Sequence, residues 1–167
     1  MKNLFKIFAV TILFFSYSNV DAQISAGAGL VYGTDISNLG FTLNGKYEIN
    51  EKWSAAPSFT IFFKKDYVSW TALDLDANYQ LMEIENIGGL YAIGGINMTF
   101  FKIDYDDIFG GAFGMNESAT GSEIGINLGV GIEIPLTDKI AIAPEFKYTV
   151  GGFNYLHIGA KALYKIK

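Results

Sequence analysis

The chain contains no cysteine. That excludes disulfides, thiolate metal ligands and a cysteine nucleophile. It also excludes a lipid-anchored cysteine at a lipoprotein cleavage site. Charged residues make up 17% of the chain, against roughly 25% in soluble domains. Prolines number three in 167 residues. No internal run approaches the ~18 consecutive apolar residues that a membrane helix needs. Yet half of the residues are hydrophobic, and glycine, tyrosine and phenylalanine abound. Their spacing has to explain them, and this composition favours strands and turns over helices. Basic residues are scarce as well. With the first 22 residues set aside, ten basic residues face sixteen acidic ones. No basic patch exists to neutralise phosphates, so nucleic acid is not an expected partner.

The first 22 residues read as a signal peptide. Lys2 and Lys6 form a positive start, residues 7–15 an apolar core, and Val20-Asp21-Ala22 a cleavage site. Cleavage after Ala22 leaves Gln23 first and assigns 23–167 to one domain. The rival is an uncleaved anchor helix, but the apolar run is too short and Ser16, Ser18 and Asn19 interrupt it.

From Gln23 onward the dominant period is two. In residues 38–49, NLGFTLNGKYEI, Leu39, Phe41, Leu43, Tyr47 and Ile49 alternate with Asn38, Thr42, Asn44, Lys46 and Glu48. A strand sends alternate side chains to opposite faces, so one face is apolar and the other polar. Trp53, Phe59 and Ile61 likewise oppose Ser54, Ser58 and Thr60. Leu73, Leu75 and Tyr79 oppose Asp74, Asp76 and Asn78. Ile126, Leu128 and Ile132 oppose Asn127, Gly131 and Glu133. Phe146 and Tyr148 oppose Glu145 and Lys147, and Ile158 and Tyr164 oppose His157 and Lys161. Residues 24–33 and 88–101 alternate more weakly, with Val31 on the wrong side. In 88–101 the face of Leu90, Ile96, Met98 and Phe100 is taken as the apolar one, with Asn97 and Thr99 opposite. This gives eight segments, each long enough for the ~9–11 residues of a tilted membrane strand. Short polar connections at 50–52, 83–86 and 135–139 alternate with longer ones, including 64–69 and 104–121. The expectation is an all-β, eight-stranded, antiparallel, up-and-down transmembrane barrel.

Alternation alone does not say which face is inside, and a soluble barrel shares the period. Two features point the apolar face outward. First, it carries no charge in any segment, whereas Lys46, Glu48, Asp74, Asp76, Glu133, Glu145, Lys147 and Lys161 share the opposite face with glycines and small polar residues. A narrow lumen needs small residues and paired charges. Second, aromatics gather at segment ends. Tyr47, Trp53, Tyr79 and Tyr164 lie toward the short turns, and Phe41, Phe63, Trp70, Phe100, Tyr148 and Tyr155 toward the loops. Two such belts fit the two faces of a bilayer.

On this pattern, and on the final alternating segment YLHIGAKALYKIK, residues 23–167 resemble the small OmpX/OmpA-type outer-membrane β-barrel family. Members usually end in a C-terminal aromatic, whereas this chain ends in Lys167. The resemblance implies a porin-like fold in the bacterial outer membrane, in contact with its lipids and lipopolysaccharide. It implies a structural or cell-surface role, with an extracellular protein or surface ligand as partner.

No catalytic set, metal site or cofactor is expected. His157 is the sole histidine. Some small barrels that modify lipopolysaccharide use a histidine with a serine and an acid, but Ser69 or Ser122 would reach His157 only through loops. A lipopolysaccharide-modifying enzyme and a soluble barrel with an apolar ligand inside are the alternatives. Asp104, Asp106 and Asp107 lack the spacing of a calcium loop and read as solvated charges. The loop 108–121 carries Phe109, Phe113 and Met115 among glycines. These three either form a contact surface or fold back onto the rim. The Gly-x-Gly pairs lie inside strands with no helix following, so they are not phosphate loops.

Overall fold

The computed structural model describes residues 23–65, 67–104 and 118–166. Eight strands follow one another: β1 (Ile24–Gly33), β2 (Asn38–Glu48), β3 (Trp53–Phe62), β4 (Val68–Ile84), β5 (Gly88–Asp104), β6 (Ser118–Pro135), β7 (Ile140–Gly151) and β8 (Tyr155–Lys165). Each pairs antiparallel with its neighbours, and β8 closes onto β1. Closure leaves no open edge around the barrel wall.

The register sets the size of the barrel. A row of pairing starts at Gly151 and runs through Gly125, Asn97, Asp74, Ser58, Asn44, Gly27 and Leu163. It returns to β7 at Ala141, ten residues from its start. With eight strands, that stagger tilts each strand about 40° from the axis. The interior is then just wide enough for side chains to fill.

The alternation resolves as the sequence suggests, with polar residues inside. Leu30, Leu43, Leu75, Ile124, Ile126 and Leu128 are among the most exposed side chains, whereas Asp74, Asn97, Asn127 and Thr149 are buried. On the outward positions of the strands, charge first appears at Lys102, beyond Phe100 at the loop end. Inward glycines make room for large partners from the neighbouring strand. A Cβ at Gly131 would meet the Tyr91 ring, and one at Gly95 would meet Asp76 Oδ1.

The two ends differ less than the sequence suggests. One end carries the turns 49–52, 85–87 and 136–139 together with Gln23 and Ile166. Asn50 Oδ1 accepts from the amides of Lys52 and Trp53, and Thr137 Oγ1 accepts from those of Lys139 and Ile140. These side chains close the turns by standing in for backbone partners. At the other end, the connections 34–37, 63–67 and 152–154 are equally short. Only the β5–β6 connection is longer. It is also shorter than expected: β5 runs on to Asp104 and β6 begins at Ser118, where these two residues pair. Continued alternation carries the ladder past Phe100, so 118–121 is strand.

Candidate functional site

The eight charged residues expected in the lumen all face it, and they separate into three groups along the barrel. The deepest centres on Lys147. Its Nζ lies 2.8 Å from Asp74 Oδ2 and 2.8 Å from Asp76 Oδ2. Two carboxylates so close would repel each other, and the ammonium between them removes that cost. Neutral donors complete the set. Asn97 Nδ2 donates to Asp74 Oδ1 at 2.6 Å, and Asn127 Nδ2 donates to Asp74 Oδ1 at 2.9 Å and Asp76 Oδ1 at 2.8 Å. Ser58 Oγ donates to Asp74 Oδ2 at 3.1 Å. Thr149 and Thr99 in turn donate to the Asn127 and Asn97 carbonyls, each at 2.7 Å. Five strands, β3 to β7, therefore meet at Asp74 and Asp76. A buried carboxylate is tolerated when its lone pairs are met in this way.

The second group joins Lys161 Nζ to Glu145 Oε1 at 2.6 Å, and Tyr91 OH donates to the same oxygen at 2.7 Å. The third lies nearest the short turns. There Lys46 Nζ bridges Glu48 at 3.0 Å and Glu133 at 2.7 Å.

The sequence reading put the uncharged polar residues on the lumen face but named only the charged ones as its network. Asn97, Asn127, Thr149 and Ser58 hold the Asp74 centre, although their strand positions already put them on the polar face. It also placed Trp70 and Tyr155 in an outer aromatic belt. The structure turns both inward. Tyr155 is 1% exposed, and its hydroxyl meets Thr99 Oγ1 at 2.9 Å and accepts from Asn97 Nδ2 at 3.2 Å. Trp70 packs on Phe101 and Phe153 with ring centroids 5.4 and 4.9 Å away. Val31, out of phase in the sequence, belongs to the same inner assembly with Phe62, Ala72 and Tyr155. These apolar side chains close the lumen at the loop end. The remaining belt residues at the other end face outward: Trp53 and Tyr79 pack at 4.8 Å, and Tyr164 is exposed.

His157 lies inside this closure, 4% exposed, with its ring 4.3 Å from that of Tyr155 and 6.3 Å from that of Phe62. Its Nε2 has no hydrogen-bond partner. Ser69 and Ser122 stand on the outward face of β4 and β6, away from the lumen. Neither of these two serines is therefore brought to His157. Among the described residues, no group of three histidine or acidic side chains is placed to hold a metal. Phe109, Phe113, Met115, Asp106 and Asp107 lie outside the described residues.

The model of the outer membrane protein beta-barrel domain family matches residues 6–163. No curated protein sequence matches the chain. Solved structures share the fold at low sequence identity. The N-terminal β-barrel domain of Pseudomonas aeruginosa OprF is 13% identical with a TM-score of 0.67, covering 86% of this chain and 97% of that one. Ail, the attachment invasion locus protein of Yersinia pestis, is 18% identical with a TM-score of 0.59, covering 86% and 96%. Neisserial surface protein A is 15% identical with a TM-score of 0.59, covering 87% and 97%.

Proposed function

Because the chain belongs to the outer membrane protein beta-barrel domain family, we propose that it spans the bacterial outer membrane and acts at the cell surface through its loop end. In this reading residues 1–22 direct export and are removed. The short-turn end, which carries both ends of the barrel domain, faces the periplasm. One observation carries the proposal: the barrel is inverted, with apolar side chains outside and buried charges inside. In water, that outer face would be an apolar patch far larger than monomers expose. Against lipid it is the stable arrangement.

The interior supports a scaffold role over a wide pore. Aromatic side chains close the loop end, and ion pairs cross the middle. The soluble barrel with an apolar ligand inside does not suit a lumen lined by Asp74, Asp76, Glu145, Lys147 and Lys161. The setting of His157 between the rings of Tyr155 and Phe62, away from Ser69 and Ser122, supports a non-enzymatic role.

Contact with surface ligands is assigned to the β5–β6 connection, where Phe109, Phe113 and Met115 stand in the sequence. Ail has been solved with the heparin analogue sucrose octasulfate, and an extracellular protein or surface ligand is the corresponding partner class here. Outer-membrane lipids and lipopolysaccharide surround the wall.

The test is expression of the full chain in an outer-membrane bacterium, followed by fractionation and electrophoresis with and without heating. Retention in the outer membrane and a heat-dependent change in mobility are expected. Release without detergent, with one mobility in both samples, contradicts the reading. Replacing residues 105–117 with a short turn should then abolish binding to host cells or matrix while leaving the heat shift intact.

A further inference from the structure

Beyond the closed wall, at the loop end, one strand outruns its neighbour. β6 begins at Ser118, but its pairing with β7 reaches only as far as Gly125 and Gly151. The last bond between them runs from the Gly152 N–H to the Ile124 carbonyl at 3.3 Å. β7 goes no further because Asn154 Oδ1 accepts from the Gly151 amide and closes the turn. From Ser118 to Glu123, β6 is held on its β5 side alone. Alternate residues of a strand turn their backbone groups to opposite neighbours. Ile124 turns toward β7, so the N–H and C=O of Ser122 and Thr120 face the same way. Among the described residues nothing pairs with them there, and both residues are exposed.

The other end of the barrel treats an overhang differently. There β4 runs on to Ile84, past Tyr79, which pairs with the first residue of β3. A bulge interrupts it between Gln80 and Met82, and Gln80 Nε2 donates to the Met82 carbonyl and to Glu83 Oε1. Bulges and charges of this kind discourage pairing with another chain. Residues 118–123, SATGSE, carry no proline, lysine or bulge. An edge left open in this way is a template for one more strand.

The two faces of the overhang define what that strand carries. Outside, Ser122 and Thr120 are exposed, and Thr120 pairs with Lys102. Inside, a Cβ at Gly121 would meet the ring of Phe101, which packs on Trp70 and Phe153. Next to Gly121 on this face, Glu123 is exposed. We infer that the free edge of β6 binds an extended peptide segment of a foreign surface protein, added antiparallel as a further strand. Its inward side chains are apolar opposite Gly121 and basic opposite Glu123, and its outward ones are polar. A second copy in the same membrane does not supply this strand. A rotation about the membrane normal relates two such copies, and strands tilted about 40° then cross at about 80° instead of lying side by side. The inference rests on the loop end facing outside the cell.

The test uses the full chain folded in lipid nanodiscs and the peptide acetyl-Thr-Lys-Thr-Val-Thr-Val-Thr-amide. A second peptide has the same side chains but methylated threonine amides, which removes the donors that face β6. Hydrogen exchange at the Thr120 and Ser122 amides should slow saturably with the first peptide and stay unchanged with the second. Thr120→Pro removes a free donor without touching the β5 ladder and should lower the affinity roughly tenfold, read at Ser122. Glu123→Gln should lower it about twofold. Heat-dependent mobility reports that the variants fold. No saturable protection, protection before any peptide is added, equal binding of the methylated peptide, or unchanged affinity in folded Thr120→Pro would overturn the inference. If Thr120→Pro does not fold, the methylated peptide decides. Release of the chain from cells without detergent would instead overturn the outer-membrane reading on which the inference rests.

Discussion

Toward the loops, the side chains of Asp74 and Lys147 are 1% and 7% exposed, and five strands supply their partners. Toward the short turns, Lys46, Glu48 and Glu133 retain 16%, 33% and 30% of their exposure and open onto a cavity. Both regions hold one ammonium between two carboxylates. What separates them is the surrounding shell. Asn97, Asn127, Ser58, Thr99 and Thr149 exclude water from the first, and among the described residues no comparable shell closes the second. The same charge pattern is therefore a structural centre in one half and a solvated lining in the other.

The largest effect should come from Lys147→Met, which leaves Asp74 and Asp76 buried and unpaired. A loss of about 3–5 kcal/mol in unfolding free energy is expected, measured by urea titration in liposomes. The matching change at the open end, Lys46→Met, should cost about 1 kcal/mol or less. Equal costs would erase the distinction between the two halves. Next comes the outer face. Leu128→Lys, at an exposed apolar position in the middle of β6, should cost about 2–4 kcal/mol in a bilayer. A neutral result there would mean that this face meets water. The smallest change is Ser58→Ala, which removes one hydrogen bond from Asp74 and should cost about 1 kcal/mol in the same titration.

The strand count, the closed antiparallel order and the outward apolar face were legible in the sequence because a two-residue period maps directly onto two faces. The charged lumen residues followed from the same parity. What escaped was position along the axis. A tyrosine or tryptophan near a strand end reads alike whether it anchors in a membrane interface or plugs the lumen. Parity separates the two cases: Trp70 is in phase with Asp74 and Asp76, and Tyr155 with His157 and Lys161. Val31 looked anomalous only because a polar lumen was expected along its whole length. Its apolar neighbours Phe62 and Tyr155 lie far from it in sequence, on β3 and β8, and no local pattern brings them together. Partner choice among charges was illegible for the same reason. Lys147 and Asp74 stand 73 residues apart, and only the barrel register places them side by side.

The two tryptophans supply the most direct test of the inverted barrel. Trp53 faces outward at 46% exposure, whereas Trp70 packs against Phe101 and Phe153 on the inward side. In vesicles of lipids brominated on their acyl chains, the fluorescence of a Trp70→Phe variant, which reports Trp53, should be strongly quenched. That of a Trp53→Phe variant, which reports Trp70, should be nearly unaffected. Strong quenching of Trp70 with little effect on Trp53, or equal quenching of both, would contradict a lipid-facing apolar wall around a packed polar lumen.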